Sequence, residues 1–135
     1  CCLRPGVAGL SETITVRSLI GRFLEHGRIY VFANGGEFLS DKNIVMISSA
    51  DLMPRNLRRR VECFMPLENP TIRKQVLHQI MVALLRDEKN AWYLQPDGSY
   101  VHPQTDETSF SCHEYFMSNP SLSGLGSLAA TQDNG

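Results

Sequence analysis

A chain of 135 residues, of which 42% are hydrophobic and 20% charged, has the length and composition of one soluble globular domain. Its formal net charge of −1 excludes a chain that is strongly basic or acidic overall, and no apolar run reaches the roughly 18 residues that a membrane-spanning helix needs. The charges are unevenly placed, since residues 1–74 contain 11 Lys and Arg against 7 Asp and Glu, whereas residues 75–135 contain 2 against 7. An anionic partner is therefore expected to bind the first half of the chain.

The first third of the chain has the pattern of loops and β-strands. It begins CCLRPG, without a Met, and this start predicts the end of a strand in a piece cut from a longer polypeptide. Stretches rich in β-branched and aromatic residues then predict strands at 13–20, 23–32 and 44–50. Asn34-Gly35-Gly36 is a strong turn signal, so the second and third strands are expected to pair as an antiparallel hairpin.

After the third strand the pattern predicts a short helix and a fourth strand. Asp51 is suited to cap the helix, and Pro54 is suited to its first turn. The apolar run VECFMPL, at 61–67, predicts the strand, which is expected to stop at Pro66.

A longer helix is the clearest element of the sequence. Asn69 is a good N-cap and Pro70 a good first residue, and the helical pattern continues to about Leu85. Its apolar residues recur at helical spacing and are expected to pack on the sheet. They are Ile72, Val76, Ile80, Ala83 and Leu84, and the first three form the stripe expected to face the sheet.

The end of the chain divides the sequence in two. AWYLQPDGSYVH, at 91–102, predicts a short strand and a Pro-Asp-Gly turn, and the residues after it show no sustained period. We therefore expect a folded domain over residues 1–104 and a loop-rich, partly disordered tail over residues 105–135. The succession of strands and helices predicts an α/β or α+β fold, with a mixed β-sheet flanked by helices and a strand order that the pattern leaves open.

The four cysteines predict neither a metal site nor a disulfide framework. No C-x-x-C spacing occurs, and His102, Cys112 and His113 lie in a loop-rich region without ligand spacing. Cys63 lies in an apolar run and is expected to be a buried thiol. This cysteine usage favours a reducing, cytoplasmic setting.

The segment LEHGRIY places charged groups inside apolar β-sequence. In an extended strand His26 and Arg28 share a face, while Glu25 points the other way and is expected to pair with an arginine. An anion between the imidazole and the guanidinium would satisfy both, and a phosphoryl group suits the forked donors of arginine. His26 could act there as a nucleophile or as a general acid or base.

Further phosphate-binding groups are expected at the end of the third strand. Ser48 and Ser49 precede a helix start, where free backbone N–H groups and hydroxyls can bind an anion, and Arg55 adds positive charge. Each feature also has an ordinary structural interpretation: a packed histidine, a helix cap, or a solvated arginine face. The joint occurrence of the features favours phosphate binding.

Two long segments make the sequence recognisable. CCLRPGVAGLSETITVRSLIGRFLEHGRIYVF and ISSADLMPRNLRRRVECFMPL closely resemble the C-terminal catalytic domain of polyphosphate kinases, and the resemblance extends to about Leu85. It implies that the chain is the second of two phospholipase D-like halves. The phospholipase D pattern has a His-x-Lys pair, for which this chain has His26-Gly27-Arg28, and the aspartate that usually follows is missing. This departure argues against ordinary phosphodiester hydrolysis.

The resemblance also implies a reaction. In the family, ATP donates its γ-phosphate to a histidine of the preceding domain, and the phosphohistidine passes it reversibly to the end of inorganic polyphosphate, with Mg²⁺ supporting the charge. The implied catalytic residue of this chain is His26, facing the phosphates of ATP or ADP. The residues expected to contact the nucleotide phosphates are His26, Arg28, Ser48, Ser49 and Arg55. Arg28 is left with two possible partners, a phosphate or a structural carboxylate.

The same resemblance implies partners and a setting. We expect the remainder of the same polypeptide, a homo-oligomer at full length, a cytoplasmic location that leaves peripheral membrane association open, and no DNA. The isolated chain is expected to be inactive. Two alternatives are a phospholipase D-like phosphodiesterase or nuclease, and a non-catalytic nucleic-acid-binding module using RNLRRR. The latter would need exposed aromatic residues nearby, whereas Tyr30 and Phe64 are expected to be buried.

Overall fold

The computed structural model describes residues 3–119, which fall into two units. Unit 1 contains residues 3–25 and 86–118, and unit 2 contains residues 26–85 and residue 119. In chain order the elements are β1 Arg17–Leu19, β2 Ile29–Phe32, β3 Ile44–Ser48, α1 Pro54–Arg59, β4 Phe64–Pro66, α2 Pro70–Gln75, a π-helical segment Val76–Met81, α3 Val82–Arg86, β5 Ala91–Leu94, β6 Tyr100–Val101 and α4 Cys112–Ser118. None of the helices in this part of the chain is long and apolar enough to cross a membrane.

Each unit contains its own three-stranded sheet. In unit 1 the order is β1-β5-β6, and in unit 2 it is β2-β3-β4. The predicted class of strands combined with helices is confirmed, and the predicted hairpin is the β2–β3 pair, in which Ile29 faces Ile47. Every pairing described is antiparallel, where the sequence predicted a mixed sheet. The reason is that β2–β3 and β5–β6 are joined by short connections, which suit antiparallel pairs.

Turn and cap signals of the sequence are confirmed where they are local. In the β2–β3 connection Asn34 and Gly35 adopt φ values of 51° and 74°, the left-handed conformation that these residues favour. The Asn69 side chain accepts hydrogen bonds from the backbone N–H groups of Thr71 (3.0 Å) and Ile72 (3.2 Å), so it caps α2 as predicted.

The predicted second strand is shorter than its sequence pattern. Regular pairing begins at Ile29, so the segment that includes His26 precedes β2 instead of lying within it. The cause is the length of the partner, because β3 ends at Ser48 and offers the preceding residues no further ladder beyond the bond from Ser48 N–H to the Arg28 carbonyl (3.0 Å). Since His26 lies outside the paired strand, strand alternation does not place the His26 and Arg28 side chains on one face.

The long helix buries the predicted apolar pattern only in part, since Val76 and Ile80 are half-buried. Ile72 is 48% exposed, while Leu77 is 3% exposed and Ala83 is fully buried. A π-helical segment, with its i→i+5 hydrogen bonds, interrupts the helix from Val76 to Met81. Ile72 lies in the first turn of α2, before this segment, and Leu77 is buried within the segment.

Other expectations fail for identifiable reasons. Asp51 does not cap α1, whose N-cap is Met53 without a side-chain bond, although Pro54 does take the first position. Cys63 is exposed because it precedes β4, an edge strand of the unit 2 sheet whose three residues are all exposed. Helix α4 was not predicted, and the stretch 120–135 of the predicted tail lies outside the described residues.

Candidate functional site at the rim of the unit 2 sheet

The candidate site lies at the end of the unit 2 sheet where β2 begins and β3 ends. The hydrogen bond from Ser48 N–H to the Arg28 carbonyl ties these two ends together. His26 is two residues before Arg28 and is exposed, and Ser49 and Ala50 follow Ser48. We call this end of the sheet the rim: residues 26–28, 48–51 and the side chains bonded to them.

Arg28 is held by a carboxylate at the rim. Its Nε donates to Asp51 Oδ1 at 2.8 Å, and its Nη1 donates to the main-chain oxygen of His26 at 3.1 Å. Their hydrogen bond raises the pKa of Arg28 and lowers the pKa of Asp51, so both groups are charged over a wide pH range. Within residues 3–119 no hydrogen-bond partner occurs for Arg28 Nη2. Of the two partners that the sequence left open, the structure contains the carboxylate.

The two rim serines are bonded within unit 2. Ser48 Oγ donates to the carbonyl of Cys63 at 2.8 Å and accepts from Ala50 N–H at 2.9 Å. Ser49 Oγ donates to Glu62 Oε2 at 2.5 Å and accepts from Cys63 N–H at 3.2 Å. Each hydroxyl has one hydrogen to donate, and in both serines it is already used.

The backbone after β3 is also hydrogen-bonded. Ser49 N–H donates to the Cys63 carbonyl (3.2 Å), and Met53 N–H donates to the Asp51 carbonyl (2.8 Å). Together with the bonds of Ser48 and Ala50, these contacts use the N–H groups of four residues between the end of β3 and the start of α1. The turn that carries the two serines is therefore internally bonded in this structure.

Glu62 and Asn56 join the rim without having been singled out in the sequence. The amide of Asn56, which is 4% exposed, donates to Glu62 Oε1 at 2.7 Å. Hydrogen bonds from Ser49 and Asn56 lower the pKa of Glu62, and Arg60 contributes through its charge. RNLRRRVE has the pattern of a basic run. Nothing in that pattern indicates that the buried Asn56 amide and the Glu62 carboxylate meet at the turn that follows β3.

The arginine helix α1 presents a basic surface close to the rim. Arg55, Arg58 and Arg59 line one shallow cavity with Pro54. The charge of Arg55 contributes to the lowered pKa of Asp51. Arg55 therefore acts on Asp51 at the rim through the electrostatic field of its positive charge.

The aromatic residues beside the rim differ from their expected burial. Tyr30 is partly buried, and its hydroxyl donates to the Ala50 carbonyl at 3.0 Å. Its ring lies 5.1 Å from that of Phe64, which is 40% exposed. The expectation that both rings are buried is thus wrong for Phe64, because β4 is an edge strand.

In unit 1, Glu25 pairs with a histidine instead of an arginine. His113 Nε2 lies 2.6 Å from Glu25 Oε1, and the His113 ring packs edge-on against Phe23. The ligand atoms of Glu25, Cys112 and His113 lie within 4.8 Å of one another. Burial and the nearby Asp87 raise the pKa of the Cys112 thiol, and Glu25 and His113 are already bonded to each other. The donor set favours a Glu–His pair over a metal site.

Comparisons with known proteins agree with the resemblance seen in the sequence. Residues 1–113 match the family model described as polyphosphate kinase C-terminal domain 2. A polyphosphate kinase of Erythrobacter litoralis is 58% identical over 126 residues, 93% of this chain and 18% of that protein, and one of Synechocystis sp. is 52% identical over 118 residues, 86% of this chain and 15% of that protein. The crystal structure of a polyphosphate kinase from Porphyromonas gingivalis matches with 34% identity and a TM-score of 0.73, over 85% of this chain and 17% of that one. The chain, which spans less than a fifth of each of these relatives, belongs to the family of polyphosphate kinase C-terminal domain 2.

Proposed function

We propose that this chain is one domain of an ATP–polyphosphate phosphotransferase, in which the rim faces the phosphates of the nucleotide. The reaction would be the reversible transfer of the γ-phosphate of ATP to the end of polyphosphate, through a phosphohistidine on another domain of the same polypeptide. The observation that carries the proposal is the guanidinium of Arg28, which is bonded to the main chain of His26 and has an Nη2 without a partner in residues 3–119. A cationic donor beside an exposed histidine suits a phosphoryl group.

The chemistry that we assign to this chain is charge stabilisation and proton donation. In the first step the bond between Pγ and the bridging oxygen of ATP breaks while a bond from Pγ to the imidazole nitrogen of the other domain forms. In the second step that P–N bond breaks and a terminal oxygen of polyphosphate takes the phosphoryl group. Such transfers depend mainly on positioning and charge neutralisation. In the first step, His26 in its protonated form would donate a hydrogen bond to the terminal phosphate of the departing ADP, and Arg28 Nη2 would donate a second.

The other predicted residues have supporting parts in this proposal. Arg55 would contribute positive charge to the approaching phosphates. Because the Ser48 and Ser49 hydroxyls are already bonded to the Cys63 carbonyl and to Glu62, we assign them to the shape of the turn and not to direct phosphate contact.

Mg²⁺, which the resemblance implies, does not fit the rim as described. Hard cations prefer unshared carboxylate oxygens, and Asp51 is bonded to Arg28 while Glu62 is bonded to Ser49 and Asn56. We therefore assign no Mg²⁺ ligand to this chain.

A cytoplasmic location and assembly of the full-length enzyme into a homo-oligomer belong to the same proposal, and the family resemblance is their support.

The test is removal of the His26 imidazole in the full-length enzyme. His26→Ala should lower ATP-dependent polyphosphate formation on the order of 10² to 10⁴-fold, which is the usual worth of a positioned acid or base. His26→Gln should not restore the rate, because an amide hydrogen-bonds without exchanging a proton at neutral pH. The thermal midpoint of both variants should stay close to that of the wild type, since His26 is exposed.

Two controls accompany this test. His102→Gln removes the imidazole that contacts the Lys89 carbonyl in unit 1, and it should keep the turnover of the folded enzyme. The chain without the rest of its polypeptide should form no polyphosphate. Near-wild-type activity of His26→Gln would show that His26 is not an acid or base, and polyphosphate made by the chain alone would refute the need for a phosphohistidine elsewhere.

A further inference from the structure

We infer that Asp51 is a positioning residue for His26, which it reaches through Arg28. This inference rests on the proposed function, because it concerns the residue to which that proposal gives the proton. The contacts form a continuous chain: Asp51 Oδ1 accepts from Arg28 Nε at 2.8 Å, and Arg28 Nη1 donates to the His26 carbonyl at 3.1 Å. All three residues belong to unit 2.

The geometry of arginine makes this chain of contacts directional. The guanidinium is planar, so a partner at Nε fixes the plane in which both terminal nitrogens lie. With Asp51 at Nε, one terminal nitrogen reaches the His26 carbonyl, and the other stays in the same plane, available to a phosphate. A lysine at position 28 could satisfy the charge of Asp51 and could not hold both partners in fixed positions.

Asp51 is itself well anchored, which a positioning group needs. The preceding residue, Ala50, is fully buried, and its carbonyl accepts the Tyr30 hydroxyl at 3.0 Å. Ala50 N–H donates to Ser48 Oγ at 2.9 Å, and the Asp51 carbonyl accepts from Met53 N–H at 2.8 Å. The backbone of Asp51 is therefore held on both sides by unit 2.

His26, by contrast, has little else to hold it. Within residues 3–119, the bond from Arg28 is the hydrogen bond that the His26 main chain makes. Gly27 follows, and a Cβ placed there would meet nothing within 4 Å, so neighbouring atoms do not restrict this glycine. Without the Asp51–Arg28 pair, the segment carrying His26 would sample more conformations.

The Arg28–Asp51 ion pair is expected to contribute little to the stability of the fold. The side chains of Arg28 and Asp51 are 29% and 42% exposed, and pairs at such a surface contribute little to folding. A stabilising role therefore predicts almost no phenotype on removal. A positioning role predicts a loss of turnover, because a catalytic group displaced by about 1 Å can cost on the order of 100-fold in rate.

The experiment is a double-mutant cycle in the full-length enzyme, with polyphosphate formation followed from radiolabelled ATP. Asp51→Ala should lower turnover by about 10- to 100-fold, and Asp51→Asn should lose less, because a neutral amide oxygen still accepts from Arg28 Nε. In the His26→Ala background Asp51→Ala should have a clearly smaller effect, because only the placement of Arg28 Nη2 is then left to lose. Glu68→Ala, which removes an exposed carboxylate of the same unit, is the matched control and should keep wild-type turnover.

A second measurement reads the position directly and does not depend on activity. Hydrogen–deuterium exchange of a peptide covering residues 24–29 should be faster in Asp51→Ala than in the wild type, and unchanged in Glu68→Ala. The residual rate of His26→Ala could be too low to measure in the double-mutant cycle, and the exchange measurement then tests the inference alone. Exchange in Asp51→Ala that equals that of the wild type overturns the inference.

The outcomes separate the inference from the proposed function. Loss of turnover in Asp51→Ala that is clearly smaller in the His26→Ala background, with faster exchange, supports the inference. Equal losses in both backgrounds, or turnover of Asp51→Ala within two-fold of the wild type while His26→Ala is impaired, overturn it and leave the proposed function standing. Near-wild-type turnover of His26→Ala overturns the proposed function. It also overturns the role of Asp51 in positioning His26 for turnover.

Discussion

The two units hold their carboxylates in opposite ways. In unit 1 Asp87 is 1% exposed, and backbone N–H groups supply two of its bonds, from Asn90 to Oδ1 (2.6 Å) and from Cys112 to Oδ2 (2.7 Å). The Asn90 amide adds a third at 2.9 Å. In unit 2 Asp51 is partly exposed and is held by the side chain of Arg28. A buried carboxylate that accepts from backbone N–H groups is fixed in place by the fold. A surface carboxylate that is paired with a charged side chain can move together with that side chain.

The same contrast explains how each carboxylate stays ionised. Burial raises the pKa of Asp87, and the hydrogen bonds from Cys112 and Asn90 outweigh it, so the pKa lies below its ordinary value. The pKa of Asp51 is lowered chiefly by its hydrogen bond with Arg28. Within residues 3–119 the bonds described for the Asp87 carboxylate come from uncharged N–H groups, while the Arg17 guanidinium donates to the Asp87 main-chain carbonyl. The Asp51 carboxylate instead accepts directly from a guanidinium. We expect mutations in the first network to act on stability and mutations in the second to act on turnover.

The largest effect on stability is expected for Asp87→Ala. It leaves the backbone donors of Asn90 and Cys112 buried without an acceptor, at a cost of about 1–3 kcal/mol for each group. We expect the free energy of unfolding to fall by about 3 kcal/mol, measured by urea denaturation of the full-length enzyme, with the turnover of the remaining folded enzyme unchanged. Asp97→Ala, which removes an exposed turn carboxylate of the same unit, should cost less than about 1 kcal/mol. Equal costs of the two variants would contradict the structural role of Asp87.

A smaller effect is expected for the pH dependence of stability. The folded pKa of Asp87 lies below the unfolded value of about 3.9, so the stabilisation by the ionised group is complete above the unfolded pKa and is lost as the pH falls through the folded one. The unfolding midpoint of the wild type should therefore decrease below about pH 5, and Asp87→Asn should weaken that decrease.

Salt distinguishes the two networks in the same pH series. Added salt screens exposed charges and acts less on buried hydrogen bonds. Raising the ionic strength to about 1 M, where the screening length is about 3 Å, should reduce the part of the pH dependence that Asp51→Asn removes and leave the part that Asp87→Asn removes. If both parts are reduced equally, the contrast between the two carboxylates is wrong.

What the sequence predicted well was local. The Asn69-Pro70 helix start, the Asn34-Gly35 turn and the β2–β3 hairpin each depend on neighbouring residues, and each is confirmed. What it missed depends on distant partners. Asp51 was read as a cap, and it forms an ion pair instead, because its fate was decided by Arg28, 23 residues earlier. No local pattern reports such a choice between two acceptable bonds.

The site shows the same division between residue types and their partners. The concentration of His26, Arg28, Ser48 and Ser49 was recognised from motifs, and the hairpin brings the backbone of these segments to one rim. The hydrogen bonds of the serines to Cys63 and Glu62 were not foreseeable, because the register of β4 against β3 brings those residues there. Likewise, the π-helical segment Val76–Met81 departs from the α-helical period that sequence periodicity assumes.

The smallest effect is expected for Ser49→Ala. The variant removes the bond from Ser49 Oγ to Glu62 (2.5 Å) and the bond that it accepts from Cys63 N–H (3.2 Å), while Asn56 still donates to Glu62 at 2.7 Å. Since Glu62 keeps one partner and this part of the rim is exposed, we expect turnover to fall by no more than a few-fold and stability by less than about 1 kcal/mol. The pKa of Glu62 should rise toward its ordinary value, because the Ser49 bond is the first cause of its lowering. Ser99→Ala is the matched control, since Ser99 Oγ donates to the Asp97 carboxylate at 2.7 Å in an exposed turn of unit 1, and it should leave turnover unchanged. A loss of turnover above about ten-fold in Ser49→Ala, with the thermal midpoint preserved, would mean that the hydroxyl leaves Glu62 to bind phosphate, and the supporting role assigned to the serine would be wrong.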